Sequence, residues 1–299
     1  MLVYQTDLNQ AKSFLFNLFR QNATPAAQDW LSQKLTLLDT AFSEKDFYLA
    51  FSAVPRFTGK TPLQLTAASI AEADQLRTGF SPAAWTVDQL ARTLLLLALP
   101  YEEKERFLKI INQLYNTADM GELVALYASL PLLPYPEAFK ARAAEGIRTN
   151  IGSVFEAIAL HNPYPADYLE EGAWNQLVLK TIFTGKPLFK IYGLDKRSNP
   201  ALARMLSDYA HERWAAGRTV TPELWRPVGP FIEERLLQDI KRLFAEPAGL
   251  QHEAAALACY QSNSTEAKNL LNDHPQLKQS IENNEITWEL IGTKNLAVS

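Results

Sequence analysis

A single cysteine, Cys259, stands in the 299 residues of the chain. One thiol excludes an internal disulfide and any multi-cysteine metal site. Glycine is scarce, at 12 residues, and β-branched aliphatics are scarcer than their straight or small counterparts: 9 valines and 13 isoleucines against 44 leucines and 39 alanines. A chain so composed is poor in strand formers and rich in helix formers. The leucine-rich run Leu94 to Leu99 falls far short of the roughly 20 residues that a membrane-crossing helix needs. No membrane span is expected. Basic excess is absent as well, with 29 Lys+Arg against 33 Asp+Glu and a net charge of −4. A general nucleic-acid binder needs a strongly basic face to displace counterions from phosphates, so nucleic acid is not an expected partner. The opening Met1 to Asp7 shows no basic stretch followed by an apolar one, so no signal peptide and a cytoplasmic location are expected.

What is present is a helical pattern. The prolines follow short polar residues at Thr24-Pro25, Thr61-Pro62, Ser81-Pro82, Asn199-Pro200 and Thr221-Pro222. Each pair reads as an N-cap followed by a first helical residue, where the missing proline N–H does no harm. Thr86-Val-Asp-Gln89 fits a capping box, with a helix through Leu99 behind it. Phe14, Leu15, Leu18 and Phe19 make one apolar stripe, and Phe107, Ile110, Ile111 and Leu114 a second. Gly185 and Gly217 fall where a helix needs a left-handed residue to stop. The segment Trp174 to Phe183 is apolar on most sides, leaving only Gln176 and Lys180 as a polar strip, and is expected to be nearly surrounded.

Helix starts recurring every 15 to 25 residues or so, joined by short turns, predict an all-α fold of irregular stacked helix pairs, either a HEAT-like α-solenoid or a helical bundle. The segment 248–284 is its clearest pair. No Ser/Gly linker divides the chain. A single domain over 1–299 is expected, with the 186–198 loop as the place where an N-terminal lobe (1–185) and a C-terminal HEAT-like lobe (199–299) would part.

Catalytic and metal templates fail one by one. His211-Glu212 opens like a zinc-protease HExxH, but position 215 is Ala; His252-Glu253 fails the same way at Ala256. Gly59-Lys60-Thr61 resembles the end of a phosphate-binding loop, yet the earlier glycine would fall at Val54. No metal site and no cofactor are predicted. One constellation remains: Arg204, Asp208 and His211 at i, i+4 and i+7 on the 200–216 helix, where Asp208 could orient the imidazole. The plain alternative is a solvated helix face with i, i+4 ion pairs. Asn162-Pro-Tyr164-Pro makes a stiff corner, Asn175 sits on a mostly apolar helix and must be hydrogen-bonded to a neighbouring loop or to a ligand, and Trp214, Trp225, Arg213, Arg218 and Arg226 crowd one stretch.

Several strings, Glu145-Gly-Ile-Arg-Thr-Asn150, Asn162-Pro-Tyr-Pro-Ala166, Trp174-Asn-Gln-Leu-Val-Leu-Lys180, Asp208-Tyr-Ala-His-Glu-Arg-Trp-Ala-Ala216 and Pro222-Glu-Leu-Trp-Arg226, resemble the EboA-domain family of bacterial proteins. The likeness is strongest over 140–230. The resemblance implies a role beside cluster-encoded enzymes, among them a UbiA-like membrane prenyltransferase, in making or exporting a small metabolite. It carries no catalytic residues over. The expectation is therefore a non-enzymatic helical scaffold or binding protein. Its ligand or partner groove would be lined by Asn162, Tyr164, Asn175, Lys180, Arg204, Asp208, His211, Arg213 and Trp225, and a small molecule is a candidate ligand. The alternative is a small-molecule enzyme using Asp208 and His211 as its catalytic pair.

Overall fold

Short polar side chains start many of the helices. Asp7 accepts from the N–H groups of Asn9 and Gln10 at 2.9 and 3.1 Å, Thr24 from Ala27 at 3.3 Å, and Asn199 from Leu202 at 2.8 Å. Each satisfies a donor that the first helical turn leaves open. At Thr86 the box forms through the Gln89 carboxamide, which accepts the Thr86 N–H at 2.7 Å, while the Thr86 hydroxyl donates to Asp88 at 2.5 Å. Gly185 and Gly217 take positive φ after their helices, as expected.

The computed structural model describes residues 6–298. The reading of the N-terminus for a leader rests in part on residues 1–5, which lie outside them. Eighteen α-helices and no sheet occur among the described residues; the one strand-like contact is an isolated bridge between Pro62 and Thr86. The chain is all-α. Its contacts form two compact units, one up to Glu170 and one from Glu171 onward, so the 186–198 segment lies inside the second unit.

The first unit holds α1 (Leu8–Asn22), α2 (Pro25–Thr40), α3 (Glu44–Thr58), α4 (Ala67–Leu76), α5 (Val87–Leu97), α6 (Lys104–Thr117), α7 (Met120–Ser129), α8 (Lys140–Arg148), α9 (Gly152–Ala159) and α10 (Tyr164–Tyr168). Helix α5 is its centre. It packs on α1, α3 and α7, and all of its residues are buried, including Asp88 and Arg92. Those two charges pair with each other at 3.0 Å, and the Arg92 Nε donates to the Phe51 carbonyl at 3.3 Å. Burial of the pair is tolerated because each ion has its partner one helical turn away.

The second unit holds α11 (Glu171–Phe183), α12 (Leu194–Arg197), α13 (Pro200–Ala215), α14 (Glu234–Ala245), α15 (Leu250–Gln261), α16 (Thr265–Asn272), α17 (Pro275–Glu282) and α18 (Trp288–Val298). Helix α15 is surrounded by α14, α16, α17, α18 and the 3-10 turns at 222–225 and 229–231. Its small residues Ala254, Ala255, Ala256 and Ala258 are completely buried, which lets neighbouring backbones come close.

Two of the proline starts are corrected. Pro62 lies in extended chain, where the Leu63 and Val87 N–H groups bond the Trp85 and Thr61 carbonyls at 2.9 Å, and the helix begins at Ala67 behind Thr66. Pro82 opens a tight turn closed by the Trp85 N–H on its carbonyl at 2.9 Å. A polar residue before proline is equally at home in extended chain, and sequence spacing alone does not separate the cases. Helix α11 departs from expectation at its end, where Phe183 is 74% exposed.

The close approach to α15 has a testable cost. A Cβ built on Gly229 would lie 3.0 Å from both the Cα and the carbonyl oxygen of Ala258, backbone that cannot step aside. Gly229→Ala is expected to lower stability by about 1–3 kcal/mol, as overpacked cores do, read as a lower urea midpoint; an unchanged midpoint contradicts this packing.

Candidate functional site

Helix α13 is fixed first at its start. Asn175 of α11 and Asn199, the residue capping α13, exchange carboxamide hydrogen bonds at 2.9 and 3.3 Å. Asn175 is buried, and its partner is a neighbouring loop residue. From that anchor α13 turns Leu202, Ala203, Leu206, Ser207 and Ala210 inward, and leaves Arg204, Asp208 and His211 exposed.

Helix α14 supplies what the outward face lacks. Its buried residues are Leu236, Asp239, Ile240 and Leu243, an apolar stripe interrupted by one carboxylate. Asp239 accepts the Ser207 hydroxyl at 2.6 Å on one oxygen and His211 Nε2 at 2.6 Å on the other. The carboxylate as acceptor assigns the imidazole proton to Nε2. Asp239 is 4% exposed at its side chain, whereas His211 is 48% exposed. The imidazole thus has one nitrogen tied to a buried anion and the rest of its ring at the surface, against Trp214 at 5.4 Å.

Asp208 does not orient His211. It pairs with Arg235 of α14 at 2.6 Å, with both side chains more than half exposed. The order of the three linked groups is Ser207, Asp239, His211, with the carboxylate in the middle. A nucleophilic triad needs the imidazole between serine and acid, so that it can take the serine proton; here that proton is aimed at Asp239, and Ser207 is wholly buried.

Beside this chain lies a groove of about 960 Å³ between α13, the start of α14 and the start of α16, within the roughly 300–1,000 Å³ common for small-molecule pockets. Arg204 and Ser207 line it from α13, Glu234, Arg235 and Leu236 from α14, Pro230, Phe231, Ile232 and Glu233 from the stretch before α14, and Ser264 and Glu266 from the start of α16, so carboxylates outnumber guanidinium groups along it. Arg204 makes no hydrogen bond or ion pair among the described residues.

The remaining predicted groove residues are used differently. Arg213 Nε donates to the Thr219 carbonyl at 3.1 Å, tying down the turn after α13. Trp225 is fully buried and stacks at 5.8 Å on Trp214, which carries the Arg242 guanidinium 4.1 Å from its ring centre. The Trp225 Nε1 has no hydrogen-bond partner among the described residues. Lys180 lies beyond Asn175 toward the end of α11, where burial lowers its ammonium below the usual lysine range. Asn162 and Tyr164 belong to the first unit and knit its corner. The Asn162 amide donates to the Tyr127 and Ala157 carbonyls at 3.0 and 2.9 Å, its oxygen accepts the Tyr164 N–H at 3.0 Å, and the Tyr164 hydroxyl donates to the Pro136 carbonyl at 2.6 Å.

Glu223 was not singled out from the sequence by its chemistry. It is buried, and burial pushes its carboxyl up to about 7, against the pull of the Phe189 and Leu188 N–H groups and the Arg226 charge. The Phe189 N–H reaches it at 2.6 Å, so it caps the 188–190 turn. Among the described residues no cluster of three or more His, Cys, Asp or Glu is placed to hold a metal ion, and no helix is long and apolar enough to cross a membrane.

Set against known proteins, residues 11–229 match a family model described as metabolite traffic protein EboA. Helix α13 falls inside that span, whereas α14 and Asp239 lie beyond it. No curated protein and no solved structure gives a significant match to the chain.

Two consequences are measurable. Asp239→Ala removes the acceptor from two buried or half-buried donors and is expected to cost about 3 kcal/mol. Asp208→Ala breaks only an exposed pair and is expected to cost less than about 0.5 kcal/mol; urea unfolding that ranks them equally contradicts the geometry. For Glu223, the folded chain keeps a proton between pH 4.5 and about 7 that the unfolded chain has released. Its contribution to stability is therefore full below 4.5 and is lost as pH rises to 7. Stability is expected to fall by about 2–3 kcal/mol through that window, and Glu223→Gln to flatten the profile; a profile identical in both proteins contradicts a buried, proton-holding carboxyl.

Proposed function

The chain belongs to the EboA family of metabolite traffic proteins, and we propose that it is a non-enzymatic, all-helical binding protein that holds a small metabolite in the groove between α13 and α14. The observation that carries this reading is the groove of about 960 Å³, with a wall held in place by Asp239. Its chemistry suits binding: Phe231, Ile232 and Leu236 offer apolar contact, Arg204 and the carboxylates Glu233, Glu234 and Glu266 offer polar contact, and the Ser207 proton is committed to Asp239. The stacked helix pairs, HEAT-like in the 248–284 segment, serve as the scaffold that presents the groove to partner enzymes of the same metabolite's pathway, a membrane-embedded prenyltransferase among them. The action is cytoplasmic in this reading.

One observation favours a second reading, that of a small-molecule enzyme. His211 is half exposed and its Nε2 is held by a buried carboxylate, the arrangement of a positioned acid or base. That reading requires a retained small molecule to change chemically on incubation, and the change to stop in His211→Gln.

Native mass spectrometry of the protein isolated from cells with the pathway intact, compared with its denatured mass, tests the binding reading. The expected result is a mass excess of small-molecule size that survives dialysis and is lost in Asp239→Ala. A native mass equal to the denatured mass overturns it.

A further inference from the structure

We propose that the α2–α3 hairpin of the first unit is a docking surface for a lipid bilayer with anionic headgroups, a second surface independent of the groove.

Its apolar material is set out by helical spacing. On α2, Trp30, Lys34 and Leu37 fall at i, i+4 and i+7, and on α3, Leu49, Ala53 and Phe57 fall at i, i+4 and i+8. The two rows adjoin, because α2 and α3 pack together and Trp30 stacks on Phe57 with ring centroids 4.7 Å apart. The core is met by other residues, Ala27, Leu31 and Leu38 on α2 and Phe47, Ala50, Phe51 and Val54 on α3. Leu49 is 60% exposed, and Leu37 and Phe57 are exposed as well. A lone surface leucine needs no explanation, but two adjoining rows joined by an aromatic stack make a patch that calls for a partner.

Charge names the partner. Lys34 lies within the α2 row, Lys45 and Arg56 stand at i−4 and i+7 from Leu49, and Lys60 follows α3 directly. None of the four has a carboxylate partner among the described residues; Arg56 lies instead 5.9 Å from the centre of the Phe57 ring. Of the hairpin's acids, Asp46 shares the face, at i−3 from Leu49. Asp29 and Asp39 stand at i−1 from Trp30 and i+2 from Leu37, spacings that turn them away from the row. Glu44 is paired with Arg106 of α6 at 3.2 Å, which brings the acidic start of α6, Glu102, Glu103 and Glu105, to the turn between α2 and α3. The open end of the hairpin, with Trp30, Arg56, Phe57 and Lys60, is therefore the end that enters the headgroup layer. Tryptophan settles at that depth, and the long basic side chains reach the phosphates while their stems stay among apolar groups. A second copy of the chain fits less well, since laying the α2 row antiparallel on itself sets Lys34 against Lys34 at its middle.

Co-sedimentation of the full chain with sucrose-loaded vesicles tests this, comparing phosphatidylglycerol mixed with phosphatidylcholine against phosphatidylcholine alone. The chain is expected to pellet with the anionic vesicles, weakly or not at all with the neutral ones, and less as salt is added. Leu49→Ser and Arg56→Gln change exposed side chains and are expected to keep the thermal midpoint. The first should weaken the anionic vesicles by about tenfold and the second by about fivefold. No pelleting with the anionic vesicles, equal pelleting with both kinds, or pelleting indifferent to both substitutions overturns the proposal. So does a lipid-free dimer in sedimentation velocity that Leu49→Ser dissolves, which would give the face to a second copy; none of these outcomes bears on the groove.

Discussion

A carboxylate taken out of water has to be met by donors, and in the second unit Asp239 is met by two from a single helix. Ser207 and His211 lie one turn apart on α13, and both reach the same side chain of α14 at 2.6 Å. The angle between those helices is thereby fixed by two hydrogen bonds to a charge that tolerates neither loss. The groove depends on it, since α13 and α14 are its walls. So does the surface of His211, whose imidazole would otherwise turn freely on an exposed helix face.

The rest of the unit supports that pair of helices from behind. Asn175 and Asn199 lock the start of α13, and the alanine-rich α15 lets α14 and the 229–231 turn pack closely. Arg226 ties α12 and α18 to the 222–225 turn through Asp195 and Glu289 at 2.7 and 3.1 Å. With the frame held by buried groups, Arg204 at the groove's border is free of structural duty. That separation is what allows Arg204 to stay unpaired, because an exposed guanidinium carries little desolvation cost. It also explains why Ser207 is a support for a carboxylate and not a nucleophile: its hydroxyl proton is committed to the frame.

Much of the helical layout is legible in the sequence because its signals are local. Asp7, Thr24, Asn199 and Ser264 sit within three residues of the donors they cap, and the stripe at Phe14, Leu15, Leu18 and Phe19 is buried as its period requires. Thr61-Pro62 misleads because the same dipeptide suits extended chain, and the choice is made by Trp85 and Thr86, which are remote in sequence. The candidate site is legible in the same measure. The helix bearing Arg204, Asp208 and His211 and the buried, paired state of Asn175 follow from spacing and polarity. The partner of His211 does not: i, i+4 spacing offers Asp208, and the true partner, 28 residues on, becomes visible only when α14 is laid against α13. A lone acid inside the apolar stripe Leu236, Ile240, Leu243 is the one signal that could have pointed to it. Glu223 is hidden for a similar reason, since nothing within its own turn shows that it will be buried against Phe189 and Leu188.

The claim on which this account turns is that the α13–α14 groove is where the protein holds its ligand. Hydrogen–deuterium exchange of the intact chain, saturated with the small molecule it retains from cells and again after that molecule is stripped by unfolding and refolding, reads this directly. The account predicts slower exchange in the stretches 200–211, 230–240 and 263–266, and little change in the first unit. Slowing confined to other segments, with those three unaffected at saturation, would contradict it.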